Sequence, residues 1–123
     1  MAKGETDIVH EIRMAAGCHG ARLWKNPRGL FLTLDGQRKV KAGLQVDGAS
    51  DLVGATQVVV TPEMVGKTLA VITVIEVKRP GKEPFKEQRD FLAFVAGFGG
   101  IAGVAHSVDE AAKILLAKAH GVR

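Results

Sequence analysis

Ile8, Ile12, Ala15 and Ala16 recur at the spacing of one helix face, with Thr6 or Asp7 able to cap the start and Gly17 to end it. They predict a first helix running to about residue 16. Residues 21–25 and 30–34 read as a strand and its partner, joined through Asn26-Pro27-Arg28-Gly29. Asp35-Gly36 signals a second turn, and 37–41 a shorter extended segment. Residues 43–50 read as a loop pivoting on Gly43 and Gly48. Residues 51–60 read as a strand whose Val58-Val59-Val60 run suggests burial on both faces. Residues 61–66 hold a turn, and the Val- and Ile-rich stretch 68–77 is the strongest strand signal, stopped by Pro80-Gly81. Residues 83–97 read as a helix with Phe85, Gln88, Phe91, Leu92 and Val95 on one face. Gly99-Gly100 breaks it, and 101–105 read as a short apolar strand. Ser107, with Glu110 three positions on, makes a capping-box start for a last helix to about residue 119. The order helix, strands, helix, strand, helix predicts an α/β or α+β fold with helices covering a central sheet.

At 123 residues the chain is read as one domain spanning 1–123. Five Phe, one Trp and no Tyr leave the core to aliphatic side chains. Cys18 is the one cysteine, which excludes an intrachain disulfide and a thiol-pair zinc site and points to a reducing, cytoplasmic setting. The start of the chain shows no apolar signal region and no run reaches the ~20 apolar residues of a membrane span, so no membrane partner is expected. A net charge of +4 suits a polyanionic partner without requiring one.

Asp51 opens one predicted strand, and Glu76 and Lys78 close another. Positions i and i+2 share a face of a strand, so Glu76 and Lys78 project together while Val77 points the other way, into the expected core. Two carboxylates suit a hard cation through oxygen, an ammonium beside them stabilises charge on a phosphate, and the Val77 carbonyl is a further oxygen. Glu-X-Lys is equally common on a solvated strand face. The apolar Thr73-Val74-Ile75 before it argues for a buried strand that ends in charge, where ligands tend to sit. Cys18-His19 lacks an acid partner for a thiol nucleophile, and His10, His106 and His120 show no metal-ligand spacing. Gly97-Phe98-Gly99-Gly100 lacks the Lys-Ser/Thr of a phosphate loop.

Asp51 with Glu76-Val77-Lys78 resembles the PD-(D/E)XK nuclease pattern. With Glu11, the Arg22 to Gly29 hairpin, Gly43-Leu44, Gly48-Ala49-Ser50-Asp51-Leu52, Gln88 and Ser107-Val108-Asp109-Glu110, the chain is similar to the virus-type replication-repair nuclease (VRR-NUC) family. Ser50 stands where the superfamily name places Pro. The resemblance implies a restriction-endonuclease-like central mixed sheet flanked by helices. It implies Mg²⁺ or Mn²⁺ held by Asp51, Glu76 and the Val77 carbonyl. Lys78 would act on the nucleophile, Glu11 as an accessory acid, and Gln88 would project toward the same centre. Arg22, Lys25, Arg28, Arg38, Lys39 and Lys41 form a basic stretch suited to tracking a DNA backbone, with Asn26 adding hydrogen bonds to it, or simply suited to solvation. The expected activity is structure-selective cutting of branched DNA by a homodimer resembling Holliday-junction resolvases, in a bacterial or phage-encoded repair protein. The alternatives are a non-catalytic nucleic-acid-binding module of the same fold and a plain structural α/β protein.

Overall fold

A computed structural model describes residues 3–27 and 30–116, with the side chain of Lys41 also outside the description. The chain forms two compact units, Met1–Val58 and Val59–Arg123.

The first unit starts with helix α1, Glu5–Ala16. Gly4 rather than Thr6 or Asp7 stands at its N-cap, with no side-chain cap bond, and the Ile8 amide donates to the Gly4 carbonyl. Glu5 and Asp7 sit in the first turn and Arg13 in the last, each matching the sign of the helix dipole. A short 3-10 turn at Gly17–His19 leads to strand β1, Ala21–Lys25. The Arg13 Nε donates to the Leu23 carbonyl at 3.1 Å and ties α1 to that strand.

The partner of β1 is not residues 30–34. It is strand β4, Leu52–Thr56, antiparallel in register from Ala21 opposite Thr56 to Lys25 opposite Leu52. Strand β2, Leu30–Leu32, instead pairs antiparallel with β3, Lys39–Lys41. Asn26 explains the first pairing. It is buried (6% exposed), and its amide donates to the Asp51 carbonyl at 2.9 Å. Its side-chain Nδ2 donates to the Ser50 carbonyl and its Oδ1 accepts from the Leu44 amide, both at 2.9 Å. The chain leaving β1 is thereby fastened to the residues entering β4. Gly43 is required at this staple, because it has φ +75° and a Cβ there would collide with the Pro27 carbonyl and the Asn26 side chain. The second pairing follows the turn at Asp35-Gly36, where Asp35 Oδ1 accepts from the Thr33 hydroxyl and the Gln37 amide.

Strand β4 stops at Thr56, and Val58, Val59 and Val60 are exposed rather than buried on two faces. Beyond Thr56 one more ladder bond forms, from the Gln57 amide to the Gly20 carbonyl, and β1 has no residues left to continue it.

In the second unit, strand β5 is Thr73–Val77, shorter than the expected 68–77. Helix α2, Lys86–Phe98, returns the chain to strand β6, Ile101–Ala105. β6 lies parallel to β5, from Thr73 opposite Ile101 to Val77 opposite Ala105. This is a βαβ unit, since parallel neighbours need a crossover and the helix supplies it. The helix begins after Glu83 and Pro84 because a residue before proline is pushed out of the helical region. Gly99, at φ +109°, ends it, and the Gly99 and Gly100 amides return to the Ala96 and Val95 carbonyls. Val95 and Ala105 are the buried centre of this unit, where α2 packs on both strands. Helix α3, Val108–Leu116, packs on the other flank of β6, with Ile114 against Gly103. The Ser107 Oγ accepts from the Glu110 amide at 3.1 Å, as a capping residue should. The expected continuation to residue 119 lies outside the described residues. Among the described residues, no helix is long and apolar enough to cross a membrane.

Candidate functional site

Three of the expected site residues converge in the second unit. Glu76 and Lys78 leave the same face of β5, as strand parity requires, and the Lys78 Nζ lies 3.7 Å from the Glu76 Oε2. Gln88, in the first turn of α2, donates from Nε2 to the same Glu76 oxygen at 3.3 Å. Its Oε1 accepts from the Phe85 amide at 2.9 Å, which satisfies one of the open donors at the helix start. One side chain therefore caps α2 and orients the Glu76 carboxylate. The Lys78 ammonium also sits over the Phe85 ring, 4.5 Å from its centroid, a cation–π contact that fixes its direction.

Burial here is the reverse of the expectation for Val77. The Glu76 and Lys78 side chains are 28% and 18% exposed, while Val77 is 72% exposed. The Glu76 and Lys78 side chains are the drier ones because Gln88 of α2 and the preceding Phe85 lie against them, whereas Val77 at the end of β5 is left open. A cavity of about 350 Å³ opens beside Glu76, lined by Val74, Ile75, Phe91 and Leu92 with Glu87 and Gln88. Its wall is largely apolar.

Asp51 and Glu11 belong to the first unit. Asp51 immediately precedes β4, and its carbonyl takes the Asn26 amide. Glu11 lies on the exposed part of α1 and pairs with the Lys3 Nζ at 2.6 Å. Arg22 and Lys25 are exposed on β1, and Arg38 and Lys39 are exposed at the β2–β3 hairpin. Arg28 and the Lys41 side chain lie outside the described residues. Asn26, expected to offer hydrogen bonds to a phosphate backbone, spends both ends of its amide inside the protein. Buried polar groups are ordinarily satisfied internally, and this one has a protein partner at each end of its amide.

Among the described residues, no three His, Cys, Asp or Glu side chains are grouped to hold a metal. That is compatible with Mg²⁺, which binds through one or two carboxylates and keeps several waters. The Glu76 carboxylate, held in place by Lys78 and Gln88, and the neighbouring Val77 carbonyl are hard oxygen donors of the kind such a cation takes.

Three residues here escape sequence reading. Phe85 reads as part of an apolar helix face, yet it is the platform beneath Lys78. Glu87 joins the cavity wall from the same turn as Gln88, and an acidic residue at a helix start is ordinarily read as a dipole partner. His106 bridges distant segments, which no local spacing reveals. Its Nδ1 lies 2.8 Å from the Glu110 Oε1, and its Nε2 lies 2.8 Å from the Lys82 carbonyl and 3.1 Å from the Glu83 Oε2. The Glu110 carboxylate, then the Lys82 carbonyl, hold the His106 pKa above its ordinary value. The same imidazole, and then the His106 amide, hold Glu110 below the usual carboxylate range.

None of the curated proteins and none of the solved structures matches the chain. The family model of the VRR-NUC domain matches residues 36–109, a stretch that includes Asp51, Glu76, Lys78 and Gln88. That match covers more than half of the chain, which therefore belongs to the VRR-NUC domain family and carries the nuclease-type function and DNA substrate that membership implies.

Proposed function

We propose that this protein is a metal-dependent DNA endonuclease that hydrolyses phosphodiester bonds. The observation that carries this reading is the convergence of Glu76, Lys78 and Gln88 at the half-buried end of β5, inside the family match. In this reading Asp51, Glu76 and the Val77 carbonyl would hold Mg²⁺ or Mn²⁺. When bound, the ion supplies positive charge at the scissile phosphate and lowers the pKa of water. Glu76 is kept ready for that role because Gln88 fixes its carboxylate and Lys78 balances its charge. Lys78, steered by Phe85, presents its ammonium to the reacting water and to charge developing on the phosphate. Glu11 is the accessory acid. Arg22, Lys25, Arg38 and Lys39 track the DNA backbone, with Arg28 and Lys41 completing the basic stretch.

The family match runs across both compact units, which supports reading 1–123 as one nuclease domain. The described residues form three two-stranded sheets, and the reading joins strands of these into a restriction-endonuclease-like central mixed sheet. We extend the reading to branched substrates cut by a homodimer of resolvase type, acting in DNA repair in the cytoplasm of a bacterium or as a phage protein. Two copies of one active site suit a junction cut on two strands.

The test is cleavage of a four-way junction, a flap and a linear duplex with Mg²⁺, Mn²⁺ or chelator, by the wild type, Glu76→Ala and Lys78→Ala. Metal-dependent cleavage lost in both variants supports the reading. Equal cleavage by all three proteins sinks the site assignment. Tight binding without cleavage under any metal points to a non-catalytic binding module.

A further inference from the structure

We propose that His106 is a positioning residue for the Glu76–Lys78–Gln88 centre: as an imidazolium it clamps the connection 79–85 to the start of α3, and the clamp sets where Phe85 lies.

The geometry starts from what the neighbours of the ring can do. The Lys82 carbonyl only accepts, so the Nε2 2.8 Å away must carry a hydrogen. The Glu110 carboxylate also only accepts, so the Nδ1 2.8 Å from its Oε1 must carry one too. A neutral imidazole has a single N–H, and this arrangement uses both. The charged groups facing the ring are Glu83 from the connection and Glu110 from α3, with Lys113 acting on Glu110. The Glu110 Oε1 further accepts the His106 amide at 2.7 Å, so the acid is anchored to backbone as well as to the ring.

The clamp bears on the connection that carries the centre. Lys82 closes a turn onto the Arg79 carbonyl at 3.1 Å, and Gly81 within it has φ +86°. At the other end, the Arg89 Nη1 donates to the Pro84 carbonyl at 2.6 Å. Phe85 follows directly, with Lys78 on its ring and its amide on Gln88. The Glu110 carboxylate favours the proton on Nδ1, so the second proton leaves from Nε2, and the bond to the Lys82 carbonyl goes with it. The connection is then held by its own turn and by the Arg89 bond on the α2 side, and Phe85, Lys78 and Gln88 shift together. The effect on cleavage rests on the nuclease reading; the clamp does not.

The experiment is a pH titration of the whole protein by NMR, following the His106 ring, the Gln88 side-chain amide and the Lys78 methylene next to nitrogen. His106 is expected to titrate above the ordinary ~6.5, with the Gln88 and Lys78 signals moving at the same midpoint. In Glu110→Gln all three midpoints should fall together. A His106 midpoint at or below the ordinary value overturns the proposal, as do Gln88 and Lys78 signals indifferent to it. His106→Gln is the second variant: Gln88 and Lys78 signals at low pH that match the high-pH wild type support the clamp, and signals unchanged from the low-pH wild type refute it. Where cleavage is measurable, kcat should fall across the His106 midpoint with KM little changed. If the protein cuts nothing, the nuclease reading fails while the NMR result still decides the clamp.

Discussion

Gln88 does two jobs that substitution can separate. Gln88→Ala removes the acceptor for the Phe85 amide and the donor to Glu76. Loss of a helix-capping bond costs about 1 kcal/mol. The bond to Glu76 is charge-assisted but long, at 3.3 Å, and the carboxylate is partly exposed, so it adds about 1 kcal/mol more. The expected loss is about 2 kcal/mol, seen as a lower urea midpoint with an unchanged slope. Gln88→Glu keeps an acceptor for the Phe85 amide and suits the dipole at the helix start, but it faces Glu76 with a second carboxylate. Two unit charges 3.3 Å apart repel by about 1 kcal/mol in bulk water and about 5 kcal/mol at an effective dielectric of ~20. The folded pair escapes by keeping a proton, which raises a carboxylate pKa in the folded state. The sign follows: Gln88→Glu is close to the wild type below the ordinary carboxylate range and loses stability progressively as pH rises above it. Urea unfolding at about pH 4 and pH 8, compared across the three proteins, reads this directly. A Gln88→Glu protein as stable as the wild type at the higher pH would refute the idea that Gln88 orients Glu76, even if Gln88→Ala lost its cap.

Asn26→Ala removes two side-chain hydrogen bonds and leaves the Leu44 amide and the Ser50 carbonyl unsatisfied near Asp51. It should cost about 2–4 kcal/mol in denaturant unfolding, and a loss below ~0.5 kcal/mol would mean that water replaces the staple. His106 has a raised folded pKa, so its contribution to stability is fully present below its unfolded pKa and is lost as pH rises through the folded value. The thermal midpoint should therefore decline on the alkaline side of ~6.5, and Glu110→Gln should flatten that decline. Replacing Arg22, Lys25, Arg38 or Lys39 by Ala should lower the salt dependence of DNA affinity by about 0.9 per phosphate contact removed. A set of variants with an unchanged salt slope would take the basic stretch out of the interface.

Much of the second unit is legible along the chain. The period of two places Glu76 and Lys78 on one face of β5. The period of 3.6 places Gln88 on the face of α2 that carries Val95 to the centre. Pro80-Gly81 and Gly99-Gly100 mark the ends of the elements within a few residues. The first unit is less legible. A strand at 21–25 is evident from its residues, but its partner is not, because residues 30–34 and 52–56 both offer an apolar edge.

What the sequence by itself determined are the consequences of backbone geometry over a few residues: which segments extend, which coil, and which side chains share a face. Those depend on neighbours in the chain and need no distant partner. The tertiary structure alone decided that Asn26 fastens β1 to β4, and that Gln88 and Phe85 lie against Glu76 and Lys78 while Val77 is left open. It also decided that His106 reaches back to Lys82. Each of these is a contact between groups far apart along the chain. A strand edge, a helix face and an imidazole accept many partners, and only the folded packing selects one.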